Sequence, residues 1–138
     1  MENSGCRITP NPKQDGYIYL DGVEILNFSL QEVPEVIKAF MTSNNLTDED
    51  ITLYAAHQAN KLILKSLAEK LCIDSARMPF VAGETGNLSS ASIPSVIVHT
   101  GGGALHRNVL CCGFGVGLAV GVCLVNFSGT KTSEIYIP

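Results

Sequence analysis

At 138 residues, with 46% hydrophobic and 16% charged residues, the chain has the composition of one core-rich domain and not of a disordered segment. A net charge of −4, with nine lysines and arginines and no basic run, excludes a nucleic-acid surface, which needs clustered cations. Five cysteines, an odd number without C-x-x-C spacing, argue against a disulfide framework and for a reducing, cytoplasmic compartment.

Residues 1–16 contain Asn3, Ser4, Pro10, Asn11, Pro12 and Gly16 without periodicity. They read as a linker, and their polar start lacks the apolar stretch of a signal peptide. Two β-prone runs, 17–20 and 23–28, flank Asp21-Gly22, a strong hairpin pair. The period becomes helical over 31–43, with Val33, Val36, Ile37 and Phe40 on one face, Pro34 in the first turn and Asn44-Asn45 as the stop. Residues 51–55 form a short apolar strand, and His57 falls directly beyond it. A second helix over 58–71 turns Ile63, Leu67 and Leu71 inward and Lys61, Lys65 and Glu69 to water.

A third strand is predicted over 78–82, followed by the loop 83–87. Residues 89–100 read as a helix with Pro94 near its start, apolar or small nearly all round and so covered on every side. Gly101-Gly102-Gly103 ends it. Strands over 108–112 and 118–127 follow, then a tail over 128–138. The order β-α-β-α-β-α-β-β predicts an α/β fold, a five-stranded mixed sheet with helices on both faces whose last two strands run antiparallel.

Residues 109–127 also have the length of a bilayer-spanning helix, with no charge and with small residues spaced at Gly113, Gly117 and Gly121. Four glycines within nine residues, and valines at 109, 116, 120, 122 and 125, fit two buried strands better.

His57 in Ala56-His57-Gln58-Ala59-Asn60 and Asn87 after Gly86 are thereby predicted at the ends of neighbouring strands. An amide NH2 cannot act as a base, so beside a neutral imidazole N–H it makes a two-donor cradle for an enolate or oxyanion. Gly86 frees the backbone that aims Asn87.

Three ordered motifs carry a resemblance. They are His57-Gln58-Ala59-Asn60, the run from Gly86-Asn87-Leu88 through Ser92-Ile93-Pro94, and Gly113-Phe114-Gly115-Val116-Gly117. Over residues 17–127 the chain resembles the carboxy-terminal half of the β-ketoacyl-[acyl carrier protein] synthase III group of thiolase-fold condensing enzymes. The resemblance implies a thiolase-like half and a decarboxylative Claisen condensation of an acyl-CoA with malonyl-acyl carrier protein in fatty acid biosynthesis. By the motif match, His57 and Asn87 are the catalytic donors to the malonyl thioester oxygen. Asn60 lies near the pantetheine arm, and Phe114, Gly115 and Val116 form the loop completing a second oxyanion hole.

The implied substrates serve without a cofactor. The implied partners are acyl carrier protein, a second copy in a homodimer, and an amino-terminal half bearing the nucleophilic cysteine. No cysteine here matches that nucleophile, so the chain by itself is expected to be inactive. Leu62 stands where the family often has a basic residue, and Gly83-Glu84-Thr85 replaces its usual acidic-basic-aromatic run. A polyketide-type condensing enzyme, or a non-catalytic binding or assembly subunit that keeps the fold without the chemistry, are the alternatives.

Other features have plainer readings. Cys72, Cys111 and Cys112 read as inert thiols. The three glycines at 101–103 lack the Lys-Ser/Thr ending of a phosphate loop, and His99 and His106 lack metal-ligand spacing. Lys61, Lys65 and Lys70 form a solvated face.

Overall fold

Asp21 does not turn a hairpin; it starts a helix. In the computed structural model its carboxylate accepts from the Val23 and Glu24 backbone N–H groups, both at 3.0 Å, and α1 runs Gly22–Ser43. The aspartate satisfies two N–H groups that have no partner within the helix. The apolar residues 23–28 thus belong to the helical stripe that continues through Val33 and Ile37, and the predicted hairpin is absent. Pro34 lies well inside the helix instead of in its first turn, buried, where it withholds the N–H that would have bonded Leu30. Asn44 stops the helix as predicted, with its backbone N–H on Phe40 and Met41.

The structure describes residues 6–7, 19–101, 107–115 and 117–133. Most of the predicted linker, His106, Val116 and the end of the tail lie outside them. Within the linker, β1 (Cys6–Arg7) pairs antiparallel with β2 (Tyr19–Leu20).

The main sheet has three strands, not five. β3 (Leu53–Ala56) pairs parallel with β4 (Val109–Gly115), which pairs antiparallel with β5 (Ala119–Val125). It is mixed, and its last two strands are antiparallel as predicted. Of the missing strands, one became the start of α1. The other, 78–82, pairs with no strand and runs into the short helix α3 (Ala82–Thr85). Residues 109–127 are two strands, so the single-helix alternative fails. No described helix is long and apolar enough to cross a membrane.

Helices cover both faces of the sheet, as the alternation along the strands requires. Tyr54, Ala56, Leu110, Cys112 and Phe114 point to one face and pack with Val33 and Ile37 of α1 and with Ile63 and Leu67 of α2 (Lys61–Leu71). Leu53, Ala55, Val109 and Cys111 point to the other and meet Val96 and Ile97 of α4 (Ser92–His99). Burying a side chain of this size stabilises by about 1.5–3 kcal/mol relative to exposure. α4 is shorter than predicted because a 3-10 turn takes Ser89–Ala91. Nor is it covered all round: Ser92, Ser95, Val96 and Ile97 face inward while Pro94 is exposed.

At the end of the sheet where β3 begins, Tyr54 donates its hydroxyl to Asp48 at 2.8 Å. Arg77 binds the same carboxylate and lies 5.5 Å from the Tyr54 ring centre. Burial, with the Asp48 charge, raises the tyrosine pKa further above its ordinary range.

Candidate functional site

β3 ends at Ala56, and the chain stays in register one residue longer: the His57 backbone N–H donates to the Cys112 carbonyl at 2.8 Å. That bond fixes the histidine on the sheet's edge beside β4. Its ring meets Phe114 edge to face, with centroids 5.4 Å apart and planes at 88°, a geometry in which a positive ring edge meets a negative face. The imidazole is half-buried, and burial holds its pKa below the ordinary 6.5; the Ser89 backbone beside it opposes that shift. The neutral ring is therefore the dominant form at neutral pH.

Ser89 also connects the histidine with Asn87. The Asn87 Oδ1 accepts from the Ser89 N–H at 2.9 Å, an Asx turn that fixes one side of the carboxamide. Its NH2 side has no hydrogen-bond partner among the described residues, and the residue is exposed. Two unusual backbone conformations bracket it. Gly86 has φ +72° and ψ −172°, a region essentially reserved for glycine, and Ser89 holds φ +52°, which is uncommon for a residue with a Cβ.

Asn60 lies on the surface and caps α2, its Oδ1 accepting from the Ile63 N–H at 2.8 Å. Its amide oxygen is committed to the helix, and only the NH2 side can face a ligand. Phe114 and Gly115 are not turn residues. Both belong to β4, paired with Val120 and Ala119, and the Phe114 ring is buried against the histidine. Gly115 has φ +148° at the strand's end, where a side chain would be strained; Val116 lies outside the described residues.

The two buried thiols of β4 are poor nucleophiles. Burial pushes Cys111 up to about 11 and Cys112 up to about 12, so both stay protonated at neutral pH, and a thiolate is what attacks. Cys72 is exposed in the left-handed position after α2. No group of three or more metal-ligating side chains occurs among the described residues.

Gln58, which the sequence places first in the helix 58–71 without a role of its own, lies before α2 and is buried. It is 1% exposed. Its Nε2 donates to the Ala56 carbonyl at 3.0 Å and the Pro79 carbonyl at 3.3 Å; its Oε1 accepts from the Val81 and Ala82 N–H groups at 2.8 and 3.3 Å. The backbone polar groups that a strand at 78–82 would have given to a neighbour go to this carboxamide instead. Nothing in the periodicity betrays it, because the signal is a partner 21 to 24 residues away. Beyond it, His99 of α4 contacts Ser95 O through Nδ1 at 2.9 Å and Glu84 through Nε2 at 3.7 Å, tying α3 to α4.

With this geometry in hand, the comparisons are specific. Residues 41–127 match the family model described as 3-Oxoacyl-[acyl-carrier-protein (ACP)] synthase III C terminal. The β-ketoacyl-[acyl-carrier-protein] synthase III of Gloeobacter violaceus is 34% identical over 113 residues, covering 80% of this chain and 34% of that protein. That of Streptococcus sanguinis is 37% identical over 114 residues, covering 79% and 35%. The crystal structure of the synthase III from Thermus thermophilus superposes with a TM-score of 0.78 at 26% identity, over 91% of this chain and 42% of that one. The synthase from Burkholderia xenovorans gives 0.73 at 32% identity, over 78% and 32%. The chain thus spans about a third of the length of the curated relatives it matches, and its α/β layers are thiolase-like. It belongs to the family of 3-oxoacyl-[acyl-carrier-protein] synthase III carboxy-terminal domains.

Proposed function

We propose that this domain supplies the decarboxylation donors of a synthase III-type acyltransferase, with His57 and Asn87 binding the thioester carbonyl oxygen of a malonyl group on acyl carrier protein. The carboxylate leaves as CO2, the electrons of the breaking C–C bond move onto that oxygen, and the two N–H donors stabilise the enolate. Its carbon then attacks the carbonyl of an acyl-enzyme derived from an acyl-CoA, and the acyl–sulfur bond breaks to release the cysteine thiolate and the 3-oxoacyl thioester. In this reading the nucleophilic cysteine comes from an amino-terminal half outside this chain, which agrees with the protonated state of Cys111 and Cys112. Asn60 and the backbone at Phe114 and Gly115 border the approaching thioester.

The observation that carries the reading is Asn87: its Oδ1 is held by the Ser89 N–H, its NH2 side is open, and the same Ser89 backbone adjoins the half-buried His57 ring. As the substrate oxygen becomes an enolate it turns into a stronger, charge-assisted acceptor, so bonds from the two N–H donors strengthen as the reaction proceeds.

The test is to mix the chain with a cysteine-bearing half of a synthase III and follow CO2 release from malonyl thioester. Release that vanishes in Asn87→Ala supports the reading. Association of the two halves without release would favour the assembly-subunit alternative.

A further inference from the structure

We infer that Gln58 is a positioning residue, a buried strut that fixes the distance between His57 and Asn87 by bonding the end of β3 to the segment leading into the asparagine loop. This deepens, and rests on, the reading of those two residues as a donor pair. A carboxamide offers two N–H donors and two acceptor lone pairs, and all four are used here. One side reaches Ala56, the last residue of β3. The other three bonds go to Pro79, Val81 and Ala82, which enter α3 and, four residues further on, Gly86.

The strut matters because the segment's other attachments are the packing of Met78 and Val81 and the Glu84–His99 contact, none of which bonds its backbone to β3. No strand pairs with it, α3 has four residues, and every residue of 86–91 is exposed. His57, in contrast, is held by a ladder bond and the Phe114 ring. The separation of the two donors is therefore set by the segment's attachments to the rest of the fold, of which Gln58 is the one with four bonds and full burial. Leaving those backbone groups unpaired in a buried site is strongly unfavourable, so loss of the carboxamide displaces the segment and with it Asn87 and Ser89.

The experiment is NMR on the labelled full chain, reading the Asn87 side-chain amide, the Ser89 backbone amide and the His57 ring titration. Gln58→Met keeps the side chain's length and removes all four bonds. It is compared with Leu67→Ala, a core truncation in α2 that makes no polar contact. We expect Gln58→Met to move both amide resonances and to raise the His57 midpoint toward 6.5 as the ring gains water. Leu67→Ala lowers the melting temperature and leaves all three readings in place.

Should Gln58→Met not fold, Gln58→Glu replaces it. Its neutral acid has the shape of the carboxamide with one donor, whereas its ionised form is acceptor-only against two carbonyls. Wild-type resonances at acid pH, departing as the buried carboxyl ionises, support the strut. Unmoved resonances in Gln58→Met overturn it. So does a Gln58→Glu chain that is unfolded even at acid pH, or one that titrates only as the wild-type imidazole does. None of these readings involves CO2 release, so they fail or succeed apart from the proposed chemistry, which Asn87→Ala tests.

Discussion

The two sides of the candidate site are built differently. His57 extends a strand whose four residues are all buried, bonded along one edge to β4 and packed between helices on both faces. Asn87 follows a four-residue helix and a glycine with positive φ, on a surface segment held by side chains: Gln58 beneath it, Glu84 to His99 beside it, and its own Asx turn. The histidine is placed by the core. The asparagine is placed by a few polar bonds, most with partners far away in sequence, and such bonds are the easier to break singly. A site made this way has one side fixed by the core and one side fixed by a few polar bonds, so changes on the two sides have separable consequences.

The sharpest test of that contrast is to remove each donor in turn. His57→Ala and Asn87→Ala are each expected to lower CO2 release by about 100- to 1000-fold in the mixture with a cysteine-bearing half, the effect of losing one preorganised donor. Asn87→Ala lowers the melting temperature least, because it removes only an exposed Asx-turn bond. His57→Ala also lowers it, because Phe114 loses an edge-to-face partner worth about 0.5–1.5 kcal/mol. Equal melting temperatures for the two variants would erase the difference between the sides.

Leu67→Ala, in the core beneath the histidine side, is expected to destabilise by about 2–5 kcal/mol in denaturant unfolding, since the residue is 0% exposed and its loss leaves a cavity. A smaller effect, about 1 kcal/mol, is expected from Asn60→Ala, which deletes the α2 cap. Asn60→Asp, which keeps the accepting oxygen, restores stability. If Asn60 also touches the substrate arm, CO2 release stays reduced in the aspartate variant.

The smallest effect is in pH. His57 has a folded pKa below its unfolded value near 6.5, so the unfolded chain takes up a proton first as pH falls. Its contribution to stability is complete above 6.5, shrinks as pH drops through that value, and levels off below the lower folded midpoint. The slope between those points disappears in His57→Ala, and unfolding curves across that window measure it.

Much of the histidine side was legible in the sequence. A short apolar run over 51–55, followed by a helical stripe at Ile63 and Leu67, predicts a strand and a helix with His57 between them, because both elements are encoded by local periodicity. The asparagine side was misread for a reason of the same kind. Apolar residues in 78–82 resemble a strand, yet their hydrogen bonds go to Gln58 and not to a strand, and no local pattern specifies a partner so distant. The apparent hairpin at 17–28 failed because Asp-Gly serves equally as a turn and as a helix cap with its first residue. Which one forms depends on whether the following apolar residues find a helix-facing core.

Sequence alone therefore determined β3, α2 and the antiparallel pair β4–β5, the two-faced burial of the sheet, and the motifs by which the chain joins its family, because each is written in residues close together along the chain. Tertiary structure decided how many strands pair, that Phe114 packs on the imidazole, and that one buried glutamine bonds both sides of the site, because each depends on groups that meet only after the backbone has closed on itself.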